Sequence, residues 1–122
     1  MAIGSKRLVV GAHYGLKDWL AQRITAVVLA VYAVFFVLYS ALRGGDAAAS
    51  AYEAWARLFA PVWMKVATLI EIAALVYHAW IGMRDIWMDY IKPTGVRLAL
   101  QVATVLWLAF CAVWAAQILW RV

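Results

Sequence analysis

Three stretches of this chain, residues 19–42, 61–89 and 95–121, are apolar over the length that a bilayer demands. The first, 24 residues long as a helix, would reach roughly 36 Å at ~1.5 Å per residue, enough to cross with some tilt. Water is absent from the hydrocarbon, so each span must satisfy its own backbone hydrogen bonds, which a helix does. Composition agrees: 69% of the 122 residues are hydrophobic, against roughly 45–50% in a soluble domain, and mean hydropathy is +0.86. The fold class read from this pattern is an all-α integral membrane protein. One membrane domain covers residues 1–122, with three transmembrane helices and a short interfacial helix.

Local signals set the boundaries. Gly4, Gly11 and Gly15 argue against a stable helix at the start of the polar leader, residues 1–18. Arg43-Gly-Gly-Asp46 ends the first span. Ser50-Ala-Tyr-Glu53 has the capping-box pattern. Tyr52, Trp55 and Phe59 follow at helical spacing, which predicts an amphipathic helix over about 51–60 lying in the interface. Pro61 suits the first turn of the second span. Lys92-Pro93 stops that span, and Thr94 is placed to cap the third. Ala99, Ala103, Ala109, Ala112 and Ala116 offer small surfaces for close helix packing. The first apolar run starts near Ile24 after a mixed polar segment and outlasts a secretory h-region, so no signal peptide is read here.

Net charge is +5, but the basic residues cluster at span ends. That distribution fits membrane orientation and anionic lipid, and no nucleic-acid partner is read from it. Lys6, Arg7, Lys17, Arg23, Arg84, Lys92 and Arg97 fall on one side. Arg43, Arg57, Lys65 and Arg121 fall on the other. The positive-inside rule then puts the N-terminus in the cytoplasm and the C-terminus outside. The single cysteine, Cys111, can form no internal disulfide. No Gly-rich phosphate loop, Cys/His zinc cluster or nucleophile elbow is present. The chain lacks the cysteines that an iron–sulfur cluster needs.

The polar residues of the second span are selective in placement. Glu71, His78, Gly82, Asp85 and Asp89 share one helical face. Such a face points into a bundle or wet cavity and not at lipid. An imidazole at this depth is either a metal or haem ligand or the partner in an interhelical hydrogen bond. Gly82, one turn from His78, leaves space where a flat macrocycle could approach. There is no second histidine in the membrane, and His13 lies in the leader. Two-imidazole haem ligation would therefore need another chain. Arg23 either meets a haem propionate or snorkels to the interface. Thr25 is read as bonding back to its own helix. Asp89-Tyr90 is either a quinone-binding pair, with the phenol donating to a carbonyl, or an interfacial aromatic with a solvated carboxylate. Glu71, about 10 Å along the helix from His78, is read as protonated or paired with a polar group on a partner.

The segments His78-Ala-Trp-Ile-Gly-Met83, Asp89-Tyr90-Ile-Lys-Pro93 and Arg97-Leu98, with Asp18, Arg23-Ile-Thr-Ala-Val27 and Tyr32, carry a resemblance. Through them the chain resembles the hydrophobic membrane anchor (D) subunits of bacterial succinate dehydrogenase, the succinate:ubiquinone oxidoreductases of respiratory complex II. The resemblance implies that His78 is one axial ligand of haem b, with the other from a cytochrome b556-type C anchor subunit. It implies that Tyr90 and Asp89 belong to the ubiquinone site and that Arg23 lies near the haem propionates. It also implies that FAD and iron–sulfur clusters reside only in partner flavoprotein and iron–sulfur subunits. The chain would then be a non-catalytic anchor of the bacterial inner membrane. Lys17, Glu71, Arg84 and Asp85 depart from the family pattern; Arg84 and Asp85 are expected to pair with the iron–sulfur subunit. The alternative reading is a haem-free anchor, or a small membrane scaffold, in which His78 is structural.

Overall fold

The computed structural model describes residues 2–43 and 50–122, with side chains from residue 15 onward. Four helices follow in order: α1 (Ala2–Arg43), α2 (Ala51–Phe59), α3 (Val62–Tyr90) and α4 (Thr94–Trp120). Three of them contain segments long and apolar enough to cross a membrane: Gly15–Arg43, Val62–Tyr90 and Thr94–Trp120. The spans agree with the sequence reading to within a few residues, since apolar length decides them.

The helix starts differ from expectation. The backbone of α1 is helical from Ala2, through the three leader glycines. Each glycine costs about 1 kcal/mol in a helix. Once a long span has nucleated, extending it adds a hydrogen bond per residue at little further cost. Pro61 stands at the N-cap of α3 and not inside its first turn, with φ −64° and ψ 138°. Its carbonyl accepts from the backbone N–H of Met64 and Lys65, each at 3.1 Å. Pro93 plays the same part for α4, and its carbonyl accepts from Arg97 N–H at 3.0 Å. Thr94 is thereby drawn into the first helical turn and makes no cap. Ser50 does cap α2: Glu53 N–H donates to its hydroxyl at 3.2 Å.

The spans form an open row. α3 is central, with α1 on one side and α4 on the other, and α2 folds against α3. Among the described residues only Thr25, Phe59, Met64, Ile81 and Leu119 are buried. Most side chains therefore face outward, as lipid allows. Phe59 carries the interfacial helix into a cluster with Met64 and Leu119, flanked by Tyr32, Phe36 and Tyr39. Aromatic contacts tie this end together: Phe36 stacks on Phe59 at 5.5 Å, and Tyr39 meets Trp63 edge-on at 5.4 Å between centroids. Lys65 donates to the Val122 carbonyl at 3.3 Å, joining the start of α3 to the end of α4.

Three threonines stitch the row. Lipid gives helices no hydrophobic reason to associate, so packing and interhelical hydrogen bonds must do so. Thr68 donates to Met64 O at 2.8 Å and receives the Tyr32 hydroxyl at 2.6 Å, linking α1 to α3. Thr104 donates to Leu100 O at 2.8 Å and receives the Trp87 indole N–H at 2.9 Å, linking α3 to α4. In each, the hydroxyl proton stays on its own helix and the oxygen serves the neighbour. The third threonine, Thr25, builds the site.

Candidate functional site

α1 and α3 run antiparallel, and their polar residues meet in sequence along one seam. Asp18 pairs with Arg84, Gln22 with Gly82, Thr25 with His78, and Tyr32 with Thr68. Residues 18, 22, 25 and 32 recur at i, i+4, i+7 and i+14, one face of α1. The seam is thus a polar stripe on α1 matched to the polar face of α3.

His78 is half-buried in this seam. Its Nδ1 lies 2.9 Å from Thr25 Oγ1. The Thr25 hydroxyl also lies 2.8 Å from Ala21 O and 3.1 Å from Gln22 O. A hydroxyl has one proton, and the two carbonyls can only accept. The proton therefore goes to the helix backbone, and Nδ1–H of the imidazole donates to Thr25. This arrangement satisfies every contact, and in it a neutral imidazole carries its lone pair on Nε2, the form in which histidine ligates metals.

The other site residues spread from this point. Gly82 faces Gln22: a Cβ at Gly82 would lie 3.7 Å from Gln22 Nε2, an ordinary contact. The space beside this glycine is shared with an amide of the same chain. Arg23 stacks over Trp19, 5.1 Å from the ring centroid, at the α1 end of a groove of about 370 Å³. Asp18, Gln22, Ile81 and Asp85 also line that groove. Arg84 is committed to Asp18 within the chain, with Asp85 3.8 Å away. Its Nε makes no hydrogen bond within the described chain.

Asp89 and Tyr90 are both exposed at the end of α3, Tyr90 at 77%. The helix stays regular through Tyr90 and stops at Ile91, whose N–H donates to Trp87 O at 3.1 Å. Tyr90 thus keeps its helical bearing, ~120° around the axis from His78, whereas Asp89 lies within ~20° of it at ~100° per residue. The break before Pro93 comes too late to swing Tyr90 round. Glu71 lines a second groove of about 370 Å³ between α1 and α3.

Among the described residues, no three His, Cys, Asp or Glu side chains gather to hold a metal ion. A haem needs less from the protein, because the macrocycle supplies the equatorial nitrogens and only axial ligands remain. One imidazole with a free Nε2 and an orienting hydroxyl fits that demand.

Sequence reasoning missed the partner of His78. Thr25 was legible only as a residue bonding its own helix, which it also does. The signal was the spacing of Asp18, Gln22, Thr25 and Tyr32.

A model of the family described as the succinate dehydrogenase/fumarate reductase transmembrane subunit matches residues 2–115. The chain belongs to this family. All the seam residues lie inside the match. The chain is similar to the succinate dehydrogenase hydrophobic membrane anchor subunit of Coxiella burnetii, 41% identical over 106 residues, covering 87% of this chain and 89% of that one. The anchor subunit of the same description from Rickettsia felis is 31% identical over 107 residues, 87% of this chain and 82% of that one. That of Rickettsia conorii is 33% identical over 102 residues, 84% and 76% respectively. Membership and the three spans make this a multi-pass transmembrane subunit.

Proposed function

We propose that this chain is the hydrophobic membrane anchor of a bacterial succinate:ubiquinone oxidoreductase and that His78 is an axial ligand of haem b. The observation that carries the ligand role is the Thr25–His78 hydrogen bond of 2.9 Å, which with Nδ1–H as donor leaves Nε2 free. The second ligand comes from a cytochrome b-type C anchor subunit, since this chain has no other histidine within its spans. Bound there, haem supplies a one-electron relay. This chain's residues hold and orient it: His78 as ligand, Thr25 as the hydrogen-bond acceptor behind it, and Arg23 as a cation for a propionate.

Tyr90 and Asp89 form this chain's share of the ubiquinone site. The Tyr90 hydroxyl donates to a quinone carbonyl, and Asp89 is near enough in sequence to pass a proton from water. Both are exposed at the end of α3, where a partner can complete the pocket. Lys17, Arg23, Arg84, Lys92 and Arg97 gather at this end of the row. By the positive-inside rule it faces the cytoplasm, with the C-terminus in the periplasm. The flavoprotein and iron–sulfur subunits, which hold FAD and the clusters, dock on that side. The chain itself is non-catalytic.

The test is the haem-to-flavin ratio of the purified complex carrying His78→Ala. The proposal expects loss of haem with flavin retained. Haem retained at the wild-type ratio would assign His78 a structural role.

A further inference from the structure

The side of α3 that meets α4 is built differently from the α1 seam. Among the described residues, the buried side-chain atoms without a hydrogen-bond partner belong to Gln22, Glu71 and Arg84, which lie on α1 or opposite it. Between α3 and α4 the indole of Trp87 and the hydroxyl of Thr104 satisfy each other. What remains there is a furrow open to lipid. A groove of about 460 Å³ is walled by Ala73, Val76, Tyr77 and Ala109. A second, of about 260 Å³ and nearer the start of α4, is walled by Leu98 and Gln101. The two share Trp80 and Val105 and so form one channel. Along α4 it runs from Leu98 to Ala109, about 16 Å at ~1.5 Å per residue. That is the depth of one leaflet, half of the ~30 Å hydrocarbon core. At its open end stand Lys92, exposed, and Arg97, half-buried. Neither forms an ion pair among the described residues. Asp89, the nearest carboxylate in sequence, lies on the His78 face of α3 and away from this side.

We propose that this furrow binds an anionic phospholipid, with one acyl chain along α3 and α4 and the phosphate met by Lys92 and Arg97. Three features follow one another in the order of such a molecule. Two cations stand at the membrane edge. One turn deeper than Arg97, the Gln101 amide can donate to a glycerol ester carbonyl. Below it the walls are apolar for the length of a chain, and the alanines at 73 and 109 leave the deep end hollow. A zwitterionic lipid fits the same walls but brings an ammonium that opposes the cations. A quinone has no charge for them to meet. Nothing on this side asks for a partner helix, since no buried polar side-chain atom is stranded there among the described residues. The inference uses the three-span fold and stands apart from the haem and quinone proposals.

Photolabelling of the assembled complex tests it. The complex is reconstituted in phosphatidylcholine vesicles with a trace of phosphatidylglycerol that carries a photoactivatable group within one acyl chain. Peptide mapping should place the adducts on the segments that carry Val76, Trp80, Val105 and Ala109. A probe with the same chains on a phosphatidylcholine headgroup should label them less, by up to about 30-fold, at about fivefold for each cation near an anionic group. Lys92→Gln should reduce that preference about fivefold, and adding Arg97→Gln should abolish it. Ala109→Trp, at an exposed position, fills the deep end and should lower labelling by both probes. Equal labelling by the two headgroups in the wild type overturns the anionic site. Adducts that fall only outside these segments, from an intact complex, overturn the furrow. If the double variant does not assemble, Lys92→Gln alone decides: a reduced preference supports the cation, and an unchanged one refutes it. A haem-free complex that still shows the preference would overturn the haem proposal and leave this one standing.

Discussion

Replacing Thr25 with valine removes one oxygen from a buried position and keeps the shape of the side chain. Thr25 is 9% exposed, so no water takes the place of its hydroxyl. The His78 Nδ1–H, 2.9 Å from that oxygen, then has no acceptor. Stranding a buried donor costs about 1–3 kcal/mol. Interhelical hydrogen bonds measured in membranes average about 0.6 kcal/mol and reach about 1.7 kcal/mol. Taking about 1.5 kcal/mol, the pair of effects weakens haem retention roughly tenfold, the low end of the 10–100-fold typical for groups behind a metal ligand. The midpoint potential should rise, because an imidazole without its acceptor is the weaker electron donor. Thr25→Ser restores both. The assay is haem per flavin after extended dilution in detergent, with a spectroelectrochemical titration of the haem that remains. Thr25→Val with wild-type retention and potential would refute the argument from tautomer to ligand.

The Asp18–Arg84 ion pair should be worth only about 0.5–1 kcal/mol, since its side chains are 39% and 26% exposed; a double-mutant cycle on thermal unfolding of the complex, weaker at high salt, checks it. Met64→Ala, at a fully buried position, should cost about 2 kcal/mol and lower the same unfolding midpoint by several degrees. Tyr90→Phe should lower succinate:ubiquinone reductase activity at least about tenfold if its hydroxyl donates in the transition state. Succinate oxidation by an artificial acceptor should change less, and equal loss in both assays would place the defect elsewhere.

How far the sequence could be read depends on the range of the interaction. Spans were legible because about 20 apolar residues in a row have few soluble alternatives. The interfacial helix was legible because Ser50 and Glu53 are three residues apart and cap locally. Caps set by proline were misread by one residue, since Thr94 looks like a cap until the Pro93 carbonyl takes that place. Helicity of the leader was misread because glycine propensity was weighed without the span that extends through it. The polar face holding Glu71, His78 and Gly82 could be drawn on a wheel from α3 alone. What lies opposite each residue could not, since Arg84 meeting Asp18 and His78 meeting Thr25 depend on the register between two helices 53 or more residues apart. Nothing in the sequence of α3 sets that register.

The measurement closest to the central claim is chemical rescue at the ligand position. His78→Gly should abolish the low-spin b-type absorption of the purified complex, and free imidazole should restore it in proportion to its occupancy. A complex carrying His78→Gly that shows the wild-type reduced-minus-oxidised spectrum before any imidazole is added would contradict the assignment of His78 as a haem ligand.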